Sequence, residues 1–548
     1  MSLPNSHFAD AAKDIKYRSG ARPMHDYLLL NAEEAPEQVA YIFYGREISW
    51  KELADSSRRL AGFLRKKGIA KGDQIGLYLQ NCPQYVIAHY AIQMLGAVIT
   101  PLNPLYKSAE VEYQLENAGA RAVICGTDLY PMVEAVRDKL SQLDLVVTTS
   151  YADYLPGLPT LPVPDDLALA HATPDNTFDL VSAIDRALPI NRPESVDFDN
   201  DIALMTFTSG TTGRPKGAML PVGAATFKTA ALFQSNGLEQ DSTALAIAPF
   251  CHIAGMCLGV YAGIYGRWTT VILPRFDPET TAQALEKYKV DMWYSIAPMN
   301  RAILSLPDIQ SRDLSSLRFN PSTSFGIPVT KSLADEWKAL TGCQMYEASY
   351  GLSETHTMDT YMPRDAIVWG SCGKPMPGND IRIVDIKTGN ELPPGQSGEI
   401  AVGNNYVFKG YKNRRDATNE TLKNGWVYTG DVGYLDENGY LFFTGRIKEM
   451  IKCSGYSVFP EDVEALMLNH PAITQSVAVG VPDENRGESV KLFVVLKPGY
   501  ASEVSEQDII DWAKDNMAAY KYPRYVEFRD SLPTTSAGKV LRRLLKDE

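Results

Sequence analysis

Thr206-Phe-Thr208-Ser209-Gly210-Thr211-Thr212-Gly213-Arg-Pro-Lys216-Gly217-Ala218 follows directly on the apolar run Ile202-Ala-Leu-Met205. Within the twelve positions 206–217 fall five hydroxyl residues, three glycines and one lysine. Glycines let a backbone turn tightly and bring its N–H groups close to a ligand. Hydroxyls donate to phosphate oxygens and a lysine adds a compact positive charge. The chemistry suits a polyphosphate, although composition alone also describes a Gly/Thr-rich surface turn. A Walker A loop is excluded, because that motif needs Gly, four residues, then Gly-Lys-Ser/Thr opening a helix. Here Lys216 stands between a proline and a glycine.

Around this loop, apolar strand-like runs alternate with amphipathic helical stretches over residues 40–350, the pattern of parallel sheets with covering helices. A helix from Trp50 to Lys67 turns Leu53, Leu60 and Leu64 inward, and Ser49-Trp-Lys-Glu52 reads as a capping box at its start. Strand–helix units are expected at Ala122–Gly126, Thr270–Pro274, Asp291–Ile296 and Leu317–Ser322. Two uncharged stretches, Gln74–Tyr106 and Ser242–Gly266, have the length of membrane spans. The first is broken by Asn81-Cys82-Pro83 and reads as a buried βαβ unit. The second holds Pro249, His252 and glycines 255, 259, 263 and 266, which suits a buried helix beside a ligand pocket better than lipid. Residues 150–197, with Leu155-Pro-Gly-Leu-Pro-Thr-Leu-Pro-Val-Pro164, read as a surface connection carrying one short helix near 178–187. From about 370 to 445 short strands and tight turns describe a β subdomain, with Glu437-Asn-Gly439 as a hairpin turn. After Arg446 the pattern becomes a small α+β unit.

The chain has 548 residues, too many for one ordinary core. Its net charge of −13 argues against nucleic acid as the main partner. Seven scattered cysteines show neither a metal spacing nor a disulfide framework, so a reducing, cytoplasmic home is expected. The N-terminal stretch with Asp10, Lys13, Asp14, Lys16 and Arg18 has no apolar signal-peptide core. Integral membrane contact is not expected, and a homodimer is the expected assembly if the chain self-associates.

Further along, Tyr350-Gly351-Leu352-Ser353-Glu354-Thr355 sets a backbone gap beside a carboxylate able to hold Mg²⁺. Tyr428-Thr429-Gly430-Asp431 places an acid at an expected strand end, where it can accept from ribose hydroxyls. Gly445-Arg446-Ile447-Lys448-Glu449 joins the β subdomain to the last unit. Pro533-Thr534-Thr535-Ser536-Ala537-Gly538-Lys539 carries a lysine on a glycine/hydroxyl loop. Each alone has a bland reading as a capped turn, a charged linker or a solvated tail.

Together, with Lys71-Gly-Asp73-Gln-Ile75 and Gly96-Ala-Val-Ile-Thr-Pro101, they resemble in order and spacing the adenylate-forming superfamily. That group contains acyl-CoA synthetases, luciferase and the adenylation domains of peptide synthetases. The resemblance covers roughly residues 27–546 apart from 150–197 and is strongest to fatty-acyl-CoA ligases. It implies an α/β fold: a large N-terminal domain over residues 1–445, a hinge at 446–448 and a small mobile C-terminal domain over 449–548. It implies ATP, Mg²⁺ and coenzyme A as co-substrates beside a small-molecule carboxylic acid.

By the same resemblance Thr208, Ser209, Gly210, Thr211, Thr212 and Lys216 would hold the β- and γ-phosphates of ATP. Glu354 would coordinate Mg²⁺ and Ser353 would contact the α-phosphate. Tyr350, Gly351 and Gly326 would border the adenine, and Asp431 and Arg446 the ribose. Lys539 would be the catalytic lysine and Lys448 the hinge residue. Ser454, Gly455 and Tyr456 would line the pantetheine tunnel. Phe250, His252, Ile253, Met256 and Phe325 would face the acyl chain, with Trp293 a poorer candidate. No Arg or Lys lies within Ser242–Gly266, so a monocarboxylate is expected, of medium chain length, branched or cyclic. An aryl-CoA ligase, an acyl-AMP ligase loading a carrier protein and a non-catalytic acyl- or nucleotide-binding protein are the alternatives.

Overall fold

The computed structural model describes residues 14–170, 172–208, 214–325, 327–454, 456–483, 486–500, 503–535 and 539–546. The signature stretch sits at the edge of a seven-stranded sheet. Its order is Phe178–Asp179, Leu145–Thr149, Ala120–Gly126, Gln74–Tyr78, Val98–Pro101, Ile202–Thr208 and Lys216–Pro221. All neighbours are parallel except the last pair, in which Thr208 lies opposite Lys216. The strands that flank the glycine/hydroxyl stretch are therefore an antiparallel pair at the edge of the sheet. The stretch 74–101 forms the expected βαβ unit, with the helix Pro83–Met94 buried throughout.

A second sheet runs Met292–Trp293, Thr243–Ala246, Thr269–Ile272, Val39–Phe43, Arg46–Ser49, parallel but for its last pair. A third holds Ser295–Ile296, Asn320–Thr323 and Met345–Glu347 in parallel. The single unit expected over 291–296 is thus two short strands that pass from one sheet to another at Tyr294. The four glycines of Cys251–Gly266 serve close packing: a Cβ on Gly255 would stand 2.2 Å from the Pro249 carbonyl oxygen. One on Gly259 would stand 2.3 Å from the Phe250 ring. That segment forms the helix Ile253–Met256, a π-helical turn Cys257–Tyr261 and the helix Ala262–Gly266.

Two expectations need correction. The helix Trp50–Lys66 is capped by Ser49, whose side chain accepts from the Glu52 backbone N–H. Glu52 does not return the bond, because its carboxylate pairs with Arg46 at 3.1 Å. Residues 150–197 are not only a surface connection: Tyr151, Tyr154, Leu161, Leu167, Leu180 and Ile184 enter the main core. The expected helix spans Leu180–Arg186, and it is not alone: a 3₁₀ turn Tyr151–Tyr154 and a short helix Asp165–Ala168 precede it.

The β subdomain pairs Asp380–Val384, Gly398–Gly403, Trp426–Leu435 and Leu441–Arg446 antiparallel around a small core that includes Tyr350. Residues after Met450 have their own sheet of Ile451–Cys453, Tyr456–Val458, Ile473–Asp483, Gly487–Leu496 and Tyr525–Phe528. The helices Pro460–Met467 and Glu506–Asn516 cover it. Their shared core, from Ile451 to Val526, is separate from the main one. Among the described residues no helix is long and apolar enough to cross a membrane.

Candidate active site

Asp431 lies inside the long strand Trp426–Leu435, not at a strand end as the sequence suggests. A register shift between Val432 and Gly433 disturbs the pairing with Leu441–Arg446, and Asp431 stands opposite Arg446. Arg446 Nε approaches Asp431 Oδ1 at 3.1 Å, and the Tyr350 hydroxyl donates to Oδ2 at 2.7 Å. Asp431 is buried, and burial pushes its pKa up against the pull of Arg446. Its Oδ1 makes no hydrogen bond among the described residues. A buried acceptor of that kind suits an incoming hydroxyl. Tyr350 itself is buried, its ring stacked with Phe443 at 6.3 Å.

Ser353, Glu354 and Thr355 form a single 3₁₀ turn after the strand Met345–Glu347. Glu354 is buried and accepts from the Tyr411 hydroxyl at 2.6 Å. Gly351 needs its missing side chain, since a Cβ would stand 2.5 Å from the Met358 nitrogen. Lys216 rests over the Tyr411 ring, its Nζ 4.4 Å from the centroid. Desolvation lowers the Lys216 pKa while Glu354 raises it. Tyr411 reaches this place because 409–412 runs along the signature hairpin: Lys409 and Lys412 donate to Met219 and Gly217, both at 2.8 Å. No sequence pattern singled out Tyr411, and only its position beside that edge strand reveals it.

From the C-terminal part, Lys539 comes within electrostatic range of Arg446, Asp431 and His252. Its side chain is accessible, yet burial lowers its pKa, as does Arg446, while Glu449 and Asp431 raise it. His252 is exposed to the cleft and not packed in the core. Desolvation, then the Lys539 charge, push its pKa down to about 4, so it is neutral at pH 7. Phe250, Ile253 and Met256 are buried in the main core, as is Trp293. Beside them is an apolar hollow lined by Ile247, Gly255, Leu258, Gly259, Met292 and Tyr294. Phe325 is half-buried on the segment where Ser324 accepts from Val329 and donates to Glu347. Burial pushes Glu347 up to about 7.

Lys448 is exposed in a turn closed by Glu449 and Met450 N–H groups, each donating to the Arg446 carbonyl at 3.1 Å. Ser454 has a left-handed backbone and donates its N–H to Arg486 O. Tyr456 is exposed and stacks on Tyr520 at 4.3 Å. Ser209, Gly210, Thr211, Thr212, Gly326 and Gly455 lie outside the described residues. The structure therefore brings together Lys216, Tyr350, Glu354, Asp431, Arg446, His252 and Lys539.

Residues 29–412 match the family of AMP-binding enzymes, and residues 462–539 match the AMP-binding enzyme C-terminal domain. The chain belongs to the adenylate-forming, AMP-binding enzyme family. It is 34% identical to a long-chain-fatty-acid–CoA ligase of Bacillus subtilis over 96% of this chain and 94% of the relative. It is 33% identical to a ligase of the same name from Escherichia coli, over 93% and 92% of the two chains. Its fold superposes on an anthranilate CoA ligase in complex with anthranoyl-AMP with a TM-score of 0.86, at 26% identity over 97% and 98% of the chains. ATP-bound MatB from Rhodopseudomonas palustris gives 0.84 at 26% identity, over 96% and 99%. Like the family, the chain is an AMP-forming acid–thiol ligase built on a parallel-sheet N-terminal part and a smaller C-terminal part.

Proposed function

We propose that this protein is an acyl-CoA ligase for an apolar monocarboxylic acid of medium chain length, branched or cyclic. The convergence of Lys539 with Asp431, Arg446 and Glu354 across one cleft carries the reading. A carboxylate oxygen attacks the α-phosphorus of ATP, the bond to the β-phosphate bridging oxygen breaks, and pyrophosphate leaves with acyl-AMP retained. Two anions must meet, so positive charge at the reacting phosphate is the main catalytic contribution. Lys539 supplies it, with Lys216 and the 208–212 loop on the outer phosphates. Asp431 and Arg446 orient the ribose, Tyr350 and Gly351 border the adenine, and Ser353 contacts the α-phosphate. A single buried carboxylate suits Mg²⁺, which takes one or two carboxylates plus phosphate oxygens, so Glu354 would hold the ion that arrives with ATP. The coenzyme A thiolate then attacks the acyl carbonyl, AMP leaves, and the thioester forms. Rotation about 446–448 would exchange Lys539 for the Ser454–Tyr456 side, making residues 449–548 the mobile domain.

The uncharged lining of the hollow supports a monocarboxylate with an apolar tail. The Bacillus subtilis and Escherichia coli relatives are named for long-chain acids. The unpaired state of all seven cysteines suits a cytoplasmic site.

The test is coenzyme-A-dependent AMP release from MgATP with acids from acetate to palmitate, plus benzoate and cyclohexanecarboxylate. Peak turnover with medium-chain or cyclic acids is expected. A maximum at palmitate moves the substrate to long chains, and pyrophosphate exchange without thioester moves the acceptor to a carrier protein.

A further inference from the structure

Residues 533–535 pair antiparallel with 539–541: the Thr535 N–H donates to the Lys539 carbonyl at 2.7 Å, and the Lys539 N–H to Thr535 Oγ1 at 3.1 Å. Three residues on, Arg542 opens the helix Arg542–Lys546. Its guanidinium meets three carboxylates. Nη1 reaches Glu449 at 2.7 Å and Glu461 at 2.8 Å, and Glu464 is held through Nη2 at 2.7 Å and Nε at 3.2 Å. All four side chains are between 16% and 23% exposed, so the cluster is half-wet and still well ordered by fork geometry. Glu461 and Glu464 lie on the helix Pro460–Met467, inside the C-terminal core. Glu449 lies in the turn bonded to Arg446, which pairs with Asp431. One guanidinium therefore ties the segment that follows Lys539 to the C-terminal core and to the turn that follows the ribose-binding pair.

We propose that Arg542 is a positioning residue for the adenylation step: it seats Lys539 by anchoring the segment that carries it to Glu461, Glu464 and Glu449. This rests on the reading of Lys539 as the adenylation lysine. Arg542 touches no reacting atom, so its effect belongs to the half-reaction that uses the lysine. A displacement of about 1 Å in a catalytic charge can cost on the order of 100-fold in rate.

The experiment separates the half-reactions in the full-length enzyme. Carboxylate-dependent ATP–pyrophosphate exchange reads adenylation, and coenzyme A added to supplied acyl-AMP reads thioester formation. Arg542→Gln is expected to lower exchange about 10- to 100-fold, through kcat with the KM for ATP unchanged, and to leave thioester formation within about two-fold. Arg542→Lys should recover part of the loss, because a lysine cannot make the fork to Glu464. Glu449→Gln keeps Arg542 held by two carboxylates and should show a smaller loss with the same split, and it reads the idea if Arg542→Gln fails to fold. Equal loss in both half-reactions, or wild-type exchange, overturns the role of Arg542. Lys539→Ala run alongside keeps the two ideas apart: if that variant retains exchange, the reading of the lysine fails whatever Arg542 does.

Discussion

The two walls of the cleft are held in opposite ways. On the N-terminal wall, Glu354 is followed by His356, Thr357 and Met358, with φ of 62°, 56° and 47°. Three consecutive non-glycine residues in the left-handed region cost roughly 1–2 kcal/mol each. A dry lock holds them: Lys228 Nζ lies 2.6 Å from Asp359 Oδ1, both fully buried, and also donates to the Met358 carbonyl and to Asn379. Asp359 in turn accepts from Thr355, next to Glu354. On the C-terminal wall, Lys539 depends on the half-wet cluster around Arg542 and on a smaller core. A dry ion pair keeps one geometry, whereas part-solvated pairs reorganise at low cost. The contrast fits a fixed binding surface facing a charge that must come and go.

The largest expected effect breaks the dry side. Lys228→Met leaves Asp359 buried without its partner and should cost about 3–5 kcal/mol of stability in urea unfolding. Adding Asp359→Asn should recover part of it. A loss below about 1 kcal/mol would show that the pair is not the lock.

Next comes the wet side. Lys539→Ala should lower acyl-adenylate formation by about 10²–10³-fold, the scale of one lost electrostatic stabiliser. Its melting temperature should stay near that of the parent protein, because the side chain is accessible and belongs to no core. A parallel fall in stability would erase the distinction between the walls.

Tyr411→Phe probes the fixed wall more gently. It removes the hydroxyl from Glu354 and keeps the ring under Lys216. A hydrogen bond to a charged group contributes about 1.5–3 kcal/mol, so kcat/KM for MgATP should fall about 10- to 100-fold. An unchanged value would mean that Glu354 needs no help to stay in place.

What was legible in the sequence follows the same division. The parallel α/β pattern, the βαβ unit at 74–101 and the separate last unit could be read because period and turn residues are local properties. The motif residues could be named because, bland one by one, they resemble a known family in their joint order and spacing. Tyr411 could not, since a tyrosine after a glycine carries no signal until 409–412 pairs with the hairpin edge. Asp431 looked like a strand end because Gly430 interrupts the apolar alternation, while the strand continues through Leu435. Lys228 did leave a trace: it is the one charged residue in Val222–Asn236, a helix otherwise apolar or uncharged polar. Its partner, 131 positions away, is a product of the tertiary fold.

The smallest effect concerns pH. His356 is buried beside the left-handed turn, its ring stacked with Tyr261 at 5.7 Å and both nitrogens without hydrogen bonds among the described residues. Burial, with Lys228 and His89 adding to it, pushes its pKa down to about 3, and His89 likewise sits at about 3. A histidine titrates near 6.5 when unfolded, so between about 6.5 and 3 the unfolded chain binds the extra proton. Stability carried by the neutral ring is therefore complete above pH 6.5 and drains as pH falls, by up to about 1.4 kcal/mol per pH unit for each such histidine. Glu347 and Glu461, both pushed up to about 7, act oppositely, since the folded chain binds their protons and their contribution is lost as pH rises. The net slope thus mixes signs, and a difference isolates one group. His356→Asn tolerates the left-handed backbone and cannot titrate. Urea unfolding at pH 7 and pH 5 should show the variant losing less stability on acidification than the parent. An identical loss would mean that His356 takes up its proton without leaving the fold, and the wall that looks dry would have to contain water.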